Sequence, residues 1–253
     1  MQGFCSLGRM DPASGHLRER LHLAKDVFFC ITAGQGIFLD LRRDTYSSVP
    51  VPDDVIGSRG CLSEAALTAA FAPFRQELLD EGLVSQTPVD GRRFGAFQGI
   101  RRPSAHMLEP VDARAFGACR GENAARITLS DVIDVQLACR RAGRLLRRQH
   151  IRDIVQGVRD RKAAAGTPEN DRAGLARQTA VFRELRPWSP RQYNCMFEAL
   201  ALLEFLARRD LFPTWVFGVQ AKPFGAHCWL QEGGYLLNET TEYAGQFTAI
   251  MAA

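Results

Sequence analysis

The sequence predicts an α+β protein in two units, and three observations carry that prediction. Three short strand-like runs and then short helical ones follow a polar lead-in, all within roughly 60 residues. A stretch from 85 to 125, rich in Gly, Pro and Arg and without periodicity, separates them from the rest. Beyond it come helical patterns, and the last quarter reads helix, strand, turn, strand. The expected division is a lead-in over 1–24, a first unit over 25–100 and a second over 101–253.

Val27 to Thr32 reads as a strand, Ala33-Gly34-Gln35-Gly36 as a turn and Ile37 to Leu41 as a second strand. Arg42-Arg43-Asp44 turns the chain again. Thr45 to Val49 makes a third strand, stopped by Pro50 and Pro52. Ser63 is an N-cap for a helix from Glu64 to Phe71. Pro73 opens another that runs to Asp80 and ends at Gly82. Strands followed by short helices in this order match a small winged helix-turn-helix module. In the second unit, Thr128 or Ser130 caps a helix carrying Leu129, Val132, Ile133 and Leu137. A helix over about 151–165, a break at Gly166-Thr167-Pro168 and a helix over about 172–185 follow. The apolar run from Met196 to Leu206 is the next helix. Three antiparallel strands (about 214–220, 226–231 and 235–239) complete the unit.

At 253 residues, with 46% hydrophobic and 24% charged residues, the chain has the composition of a globular protein. No apolar window approaches a membrane span, and no secretion signal is visible at the N-terminus. The seven cysteines (5, 30, 61, 119, 139, 195 and 228) are an odd, dispersed set without a CxxC pair. That pattern argues for reduced thiols in a cytoplasm and against structural zinc; no metal site is expected. A net charge of +4 is mild. The helix from Phe74 to Glu81 carries three acids against one base, the wrong sign for reading a DNA groove. No nucleotide-binding loop is present. The basic run from Arg140 to Lys162 is read first as a solvated helix face, with an acidic partner or a phosphate as the functional readings.

Chemistry concentrates at Cys195 and His227. Asn194 is a favoured N-cap, so the Cys195 thiol falls in the first turn of its helix. Unpaired backbone N–H groups and the helix dipole favour a thiolate there. His227 lies on the strand-like run Phe224-Gly225-Ala226-His227-Cys228-Trp229-Leu230. A nucleophile at a helix N-terminus, a base on a strand and an orienting group on the next strand is the logic of a cysteine protease or transglutaminase. The plain alternative is a buried core thiol, but Cys195 precedes the apolar run rather than lying inside it. Cys228 points to the opposite face of the strand from His227 and is expected in the core. The third group depends on the turn at Gly233-Gly234. A two-residue loop pairs Trp229 with Asn238 and brings Asn238 to the face of His227; a loop of odd length brings Glu239 instead. Gln192 is a candidate second donor to an oxyanion, beside the Cys195 backbone N–H.

Together, Leu185-Arg186-Pro187, Asn194-Cys195, Phe224-Gly225-Ala226-His227-Cys228-Trp229-Leu230 and Gly234-Tyr235-Leu236-Leu237-Asn238-Glu239 resemble the lasso-peptide biosynthesis B proteins. These are leader peptidases related to the microcin-processing enzyme, with a papain/transglutaminase-like fold. The match covers 185–253 well. Glu239 stands where the family usually has Asp. The resemblance therefore implies Cys195 as nucleophile, His227 as base and Glu239 as orienter, and with Glu239 an odd register in the hairpin. Gly36 to Leu41 with Tyr46 to Val49 is similar to the RiPP recognition element, a winged-helix-like module that captures leader peptides. It implies leader binding by Tyr46, Ser47, Ser48 and Val49 at a strand edge, with Phe74 and Leu78 from the adjoining helix. The implied partners are a precursor peptide and an ATP-dependent macrolactam synthetase, with no nucleic acid or membrane. No tightly bound cofactor is expected, although the family is described as ATP-dependent. A transglutaminase-like acyl transferase and an inactive leader-binding protein are the other readings.

Overall fold

The computed structural model describes residues 21–51, 64–87, 126–166, 171–189 and 194–253. The expected unit boundary near residue 100 lies outside them, as do Ser63 and Gln192.

Near the N-terminus, strand β1 (His22–Leu23) pairs antiparallel with β5 (Val84–Ser85). Strands β2 (Val27–Thr32), β3 (Gln35–Asp40) and β4 (Thr45–Pro50) form an antiparallel meander in the order β2-β3-β4. Thr32 pairs with Gln35, leaving a two-residue turn. Ala33 and Gly34 meet it with left-handed backbone, φ 47 and 71. Buried Asp40 is neutralised at the other end by Arg42, whose Nε and Nη2 donate at 2.8 and 2.7 Å. Helix α1 (Glu64–Phe71), a 3-10 turn at Ala72–Phe74 and helix α2 (Arg75–Asp80) follow.

The strands alternate strictly, and both faces of this sheet are covered. Val27, Phe38 and Val49 pack with Leu67, Phe71 and Leu78 of the helices. Phe28, Cys30, Ile37 and Leu39 point the other way, into the core cluster that also holds the C-terminal helices and sheet. Arg159 lies over the Phe28 ring at 5.5 Å, and Thr248 is hydrogen-bonded to Thr32 at 3.0 Å. The N-terminal sheet and the C-terminal part are thus continuous in packing.

Helices α3 (Leu129–Arg148), α4 (Ile151–Ala164) and α5 (Arg172–Leu185) surround α6 (Cys195–Ala207). Thr128 and Asp131 form a capping box at the start of α3, and Asp171 caps α5. Every residue of α6 from Ala199 to Leu206 is buried, so this helix is apolar all round rather than amphipathic. Its one buried charge, Glu204, is 3% exposed. Arg161 holds it with two bonds of 2.9 and 2.6 Å, and Arg141 adds a contact of 2.6 Å. The basic run is therefore more than a solvated face: two of its arginines reach in from the surface to pair with a buried acid.

The C-terminal sheet is four-stranded and antiparallel, in the order β8-β7-β6-β9. Its strands are β6 (Thr214–Gln220), β7 (Gly225–Glu232), β8 (Tyr235–Leu236) and β9 (Thr248–Ala252), and a short helix α7 (Thr241–Ala244) precedes β9. The expectation of three strands missed β9, which covers the second edge of β6, and ran β8 on to residue 239. It ends at Leu236, for a reason that the site below makes clear.

Gly218 of β6 is required by close packing. A Cβ there would sit 2.7 and 2.8 Å from the Trp229 ring and 2.9 Å from Phe247 Cβ. Gly218→Ala is expected to destabilise the protein by about 1–3 kcal/mol through overpacking. A lowered urea midpoint with an unchanged denaturant slope is the measurement that checks it.

Candidate active site

The start of α6 meets the side of β7. Asn194 takes extended backbone before the helix, and its Oδ1 accepts the Phe197 N–H at 2.7 Å. That cap fixes Cys195 as the first helical residue, where the helix end favours negative charge. On the sheet side, β8 pairs only with Gln231 and Glu232, so β7 from Gly225 to Trp229 has no ladder partner on that edge among the described residues. Cys195 is seated there. Because it meets an edge rather than a face, side chains from both faces of β7 reach its sulfur.

The same edge contact gives Cys228 a second role. Cys228 alternates with His227 as expected and is 1% exposed in the core. Its side chain and backbone N–H nevertheless both hydrogen-bond the Cys195 sulfur, as does His227. These bonds outweigh burial and pull the Cys195 thiol from 9.0 down to about 4, the Cys228 side chain contributing most. The partner thiol moves the other way. Cys228 is held well above its ordinary value, first by its bond to Cys195 and then by burial. Cys30, deep in the core, is pushed up to about 12 by burial. Of these three thiols only Cys195 is poised as a thiolate.

His227 is clasped by aromatic rings: Tyr243 edge-on at 4.9 Å, Phe247 at 5.2 Å and Trp229 stacked at 6.0 Å. Trp229 is itself pinned by its Nε1–H to Gln231 Oε1 at 2.9 Å. With the imidazole protonated, Nε2 donates to Glu239 Oε2 at 2.8 Å, which leaves Nδ1 for Cys195. Burial opposes the charged ring, but the bonds to Cys195 and Glu239 together raise its pKa above the ordinary 6.5. The other carboxylate oxygen of Glu239 accepts the Thr240 N–H at 2.8 Å, which fixes the orientation of the group.

The odd register expected with Glu239 does not occur. Glu232 pairs with Tyr235 around a two-residue Gly233-Gly234 turn, with Gly233 at φ 59. Continued, that register would bring Asn238 toward His227. The ladder instead stops: Leu237 N–H still bonds Leu230 O at 2.9 Å, but Asn238 folds its side chain back and accepts the Leu230 N–H at 2.7 Å. Asn238 thus stands in for a backbone acceptor, the strand ends, and the chain that leaves it carries Glu239 to the imidazole.

The expected leader contacts are divided. Tyr46 packs on the core cluster that holds Cys195, with its ring 5.5 Å from Phe224. Leu78 and Val49 are buried on the opposite face of the N-terminal sheet and Phe74 is packed against them, so Leu78 and Val49 serve the core. Ser47 and Ser48 lie on β4, whose outer edge has no ladder among the described residues.

Reading the sequence missed Glu198, one turn along α6 from Cys195. Burial raises its carboxyl above the usual range, nearby Arg186 opposes this, and Glu239 and Cys195 add to it. The signal was the i, i+3 spacing from Cys195. Among the described residues, no group of three His, Cys, Asp or Glu side chains could hold a metal, and no helix is long and apolar enough to cross a membrane.

Residues 132–252 match the transglutaminase-like superfamily. No curated protein and no solved structure shows a significant match to the chain. The C-terminal part is a transglutaminase-like domain within a mixed helix and sheet fold.

Three outcomes follow from this geometry. The thiolate is the reactive form, so alkylation of Cys195 by iodoacetamide should be nearly independent of pH down to about pH 5 and fall below it. His227→Ala removes a stabilising donor, moves the inflection upward and slows labelling at pH 7 by about tenfold; an unmoved inflection would refute the pairing. Glu239→Gln removes the charge facing Nε2, so the His227 titration followed by NMR should shift to lower pH.

Proposed function

On the premise of a transglutaminase-like domain at 132–252, we propose that this protein is the leader peptidase of a lasso-peptide pathway, cutting leader from core in a ribosomally made precursor. One observation carries the chemistry: a depressed thiol at a helix N-terminus beside an imidazole held at 2.8 Å by a carboxylate. Cys195 attacks the scissile carbonyl, and His227 supplies its proton to the leaving amine. The imidazole then draws a proton from the water that releases the acyl group. Glu239 keeps the ring oriented and stabilises its charged form. The Cys195 backbone N–H, which has no intrahelical partner in the first turn of α6, is one donor for the developing oxyanion. Gln192 is kept as the second.

The peptide specificity of this reading comes from the resemblance of 185–253 and of the N-terminal strands to the lasso-peptide B proteins. The N-terminal unit, taken as a winged-helix-like recognition module, would hold the leader as a strand added to the edge of β4. Cleavage just after a Thr near the end of the leader frees an amine for an ATP-dependent macrolactam synthetase. Any ATP requirement is assigned to the partnership, since the chain carries no nucleotide motif. The cytoplasm is the compartment this reading implies, because the thiolate must stay reduced.

The test is mass spectrometry of the cognate precursor after incubation with the protein. Wild type should release a core peptide with an unmodified N-terminus. Cys195→Ala should lose at least about a hundredfold in turnover while keeping leader affinity. Glu239→Asp should retain more activity than Glu239→Gln. The superfamily also includes acyl transferases. An acyl group passed to an added amine in preference to water would replace the peptidase by a transferase. Leader binding without any cleavage would mark an inactive delivery protein.

A further inference from the structure

The N-terminal sheet contributes a side chain beside the catalytic centre. A cleft of about 360 Å³ lies between Gln35, Ile37, Tyr46, Ser47 and Ser48 on one side and Ala221, Lys222 and Phe224 on the other. Its volume is in the range of pockets that hold a small ligand. Tyr46 and Phe224 meet edge to face across the seam, at 5.5 Å and 62°. Phe224 is 56% exposed, and three residues further along the same segment is His227. Tyr46 packs on the core cluster against which Cys195 also packs, and it lies near enough to Cys228 and Cys195 to feel their charge, so one ring lines the cleft and borders the setting of Cys195.

We propose that Tyr46 and Phe224 form an aromatic clamp that positions the acyl side of a peptide substrate as it passes from the edge of β4 to Cys195. This rests on the reading of the protein as a peptide-processing enzyme. The occupant is argued from the shape and chemistry of the cleft. Its rim is the outer edge of β4, which has no ladder partner among the described residues and offers backbone groups to an extended chain. Among the described residues the lining pairs two aromatic rings with two serines and a glutamine and carries a single charge, Lys222. That mixture suits a peptide rather than a polyanion. A strand added to β4 also presents alternate side chains to opposite faces. One set turns toward the helices that pack with Phe38 and Val49, and the other turns into this cleft. One bound segment would therefore be read on both faces, with the second face belonging jointly to the two units. Burial and nearby Cys228, Asp44 and Cys195 raise the Tyr46 phenol above its ordinary value, so it stays neutral beside the thiolate.

The experiment compares two labels on Cys195. A tetrapeptidyl chloromethyl ketone ending in Thr must use the cleft, whereas iodoacetamide need only reach the sulfur. In the wild type the peptidyl reagent should react faster. Phe224→Ala and Tyr46→Ala should each slow it by about tenfold while leaving the iodoacetamide rate within about twofold, and Tyr46→Phe should keep both rates. Because Tyr46 is half-buried, exposed Phe224 keeps the test independent of folding. Unchanged peptidyl rates in Phe224→Ala overturn the clamp. A parallel fall of both reagents also overturns it, since the pair would then serve only the fold. A wild type that prefers the peptidyl reagent yet leaves the precursor uncut keeps the clamp and removes the peptidase.

Discussion

The contact between the first turn of α6 and the edge of β7 that β8 leaves uncovered sets the properties of everything else at this site. A helix end supplies partial positive charge, and a strand edge supplies backbone donors and side chains from two faces. Where the two meet, Cys195 receives hydrogen bonds from His227 and from both the side chain and the backbone of Cys228. A thiol on the face of a sheet would meet only alternate residues. The edge is left open because β8 spans just Tyr235–Leu236. The shortness of that strand, enforced by Asn238 taking the Leu230 N–H, is as much part of the site as the triad.

Holding that contact requires α6 to be rigid, and the molecule achieves this by burying it. Helices α3 and α5 pack on it, β7 lies against it and its apolar residues are enclosed on all sides. The exception, Glu204, shows how charge is handled in such a place. Two arginines from the helices α3 and α4 close on it, so the long basic run acts as internal counter-charge as well as surface. Arg209, just beyond α6, pairs with Asp131 and Asp134 of α3 and ties down the other end of the helix.

The same core extends under the N-terminal sheet. Phe28, Cys30, Ile37 and Leu39 complete the cluster around α6, while the opposite face of their strands builds a second cluster with α1 and α2. A sheet buried on both faces cannot be a loosely tethered accessory. Its packing ties it to the core around Cys195, and Tyr46 and Phe224 meet at the seam between the two.

Local signals were enough for much of this. The N-cap Asn194, the placement of Cys195 in a first turn, the strands around His227 and the three-strand meander near the N-terminus all follow from residue types at short spacing. Their governing interactions are between near neighbours in sequence. Long-range pairing was not legible. Strand β9 reads as a nondescript run from Thr248 to Ala252 until β6 offers it an edge. Cys228 looked like core alone because alternation assigns a face but does not say what abuts an edge. The third member of the site illustrates the division most sharply. Turn chemistry specified the two-residue hairpin, and periodicity would then have chosen Asn238. Glu239 reaches His227 only because a side-chain acceptor ends the ladder early. The sequence by itself determined which groups were available and the local conformation of each. Only the tertiary structure decided which of them meet, because that depends on where a strand stops and what packs beside it.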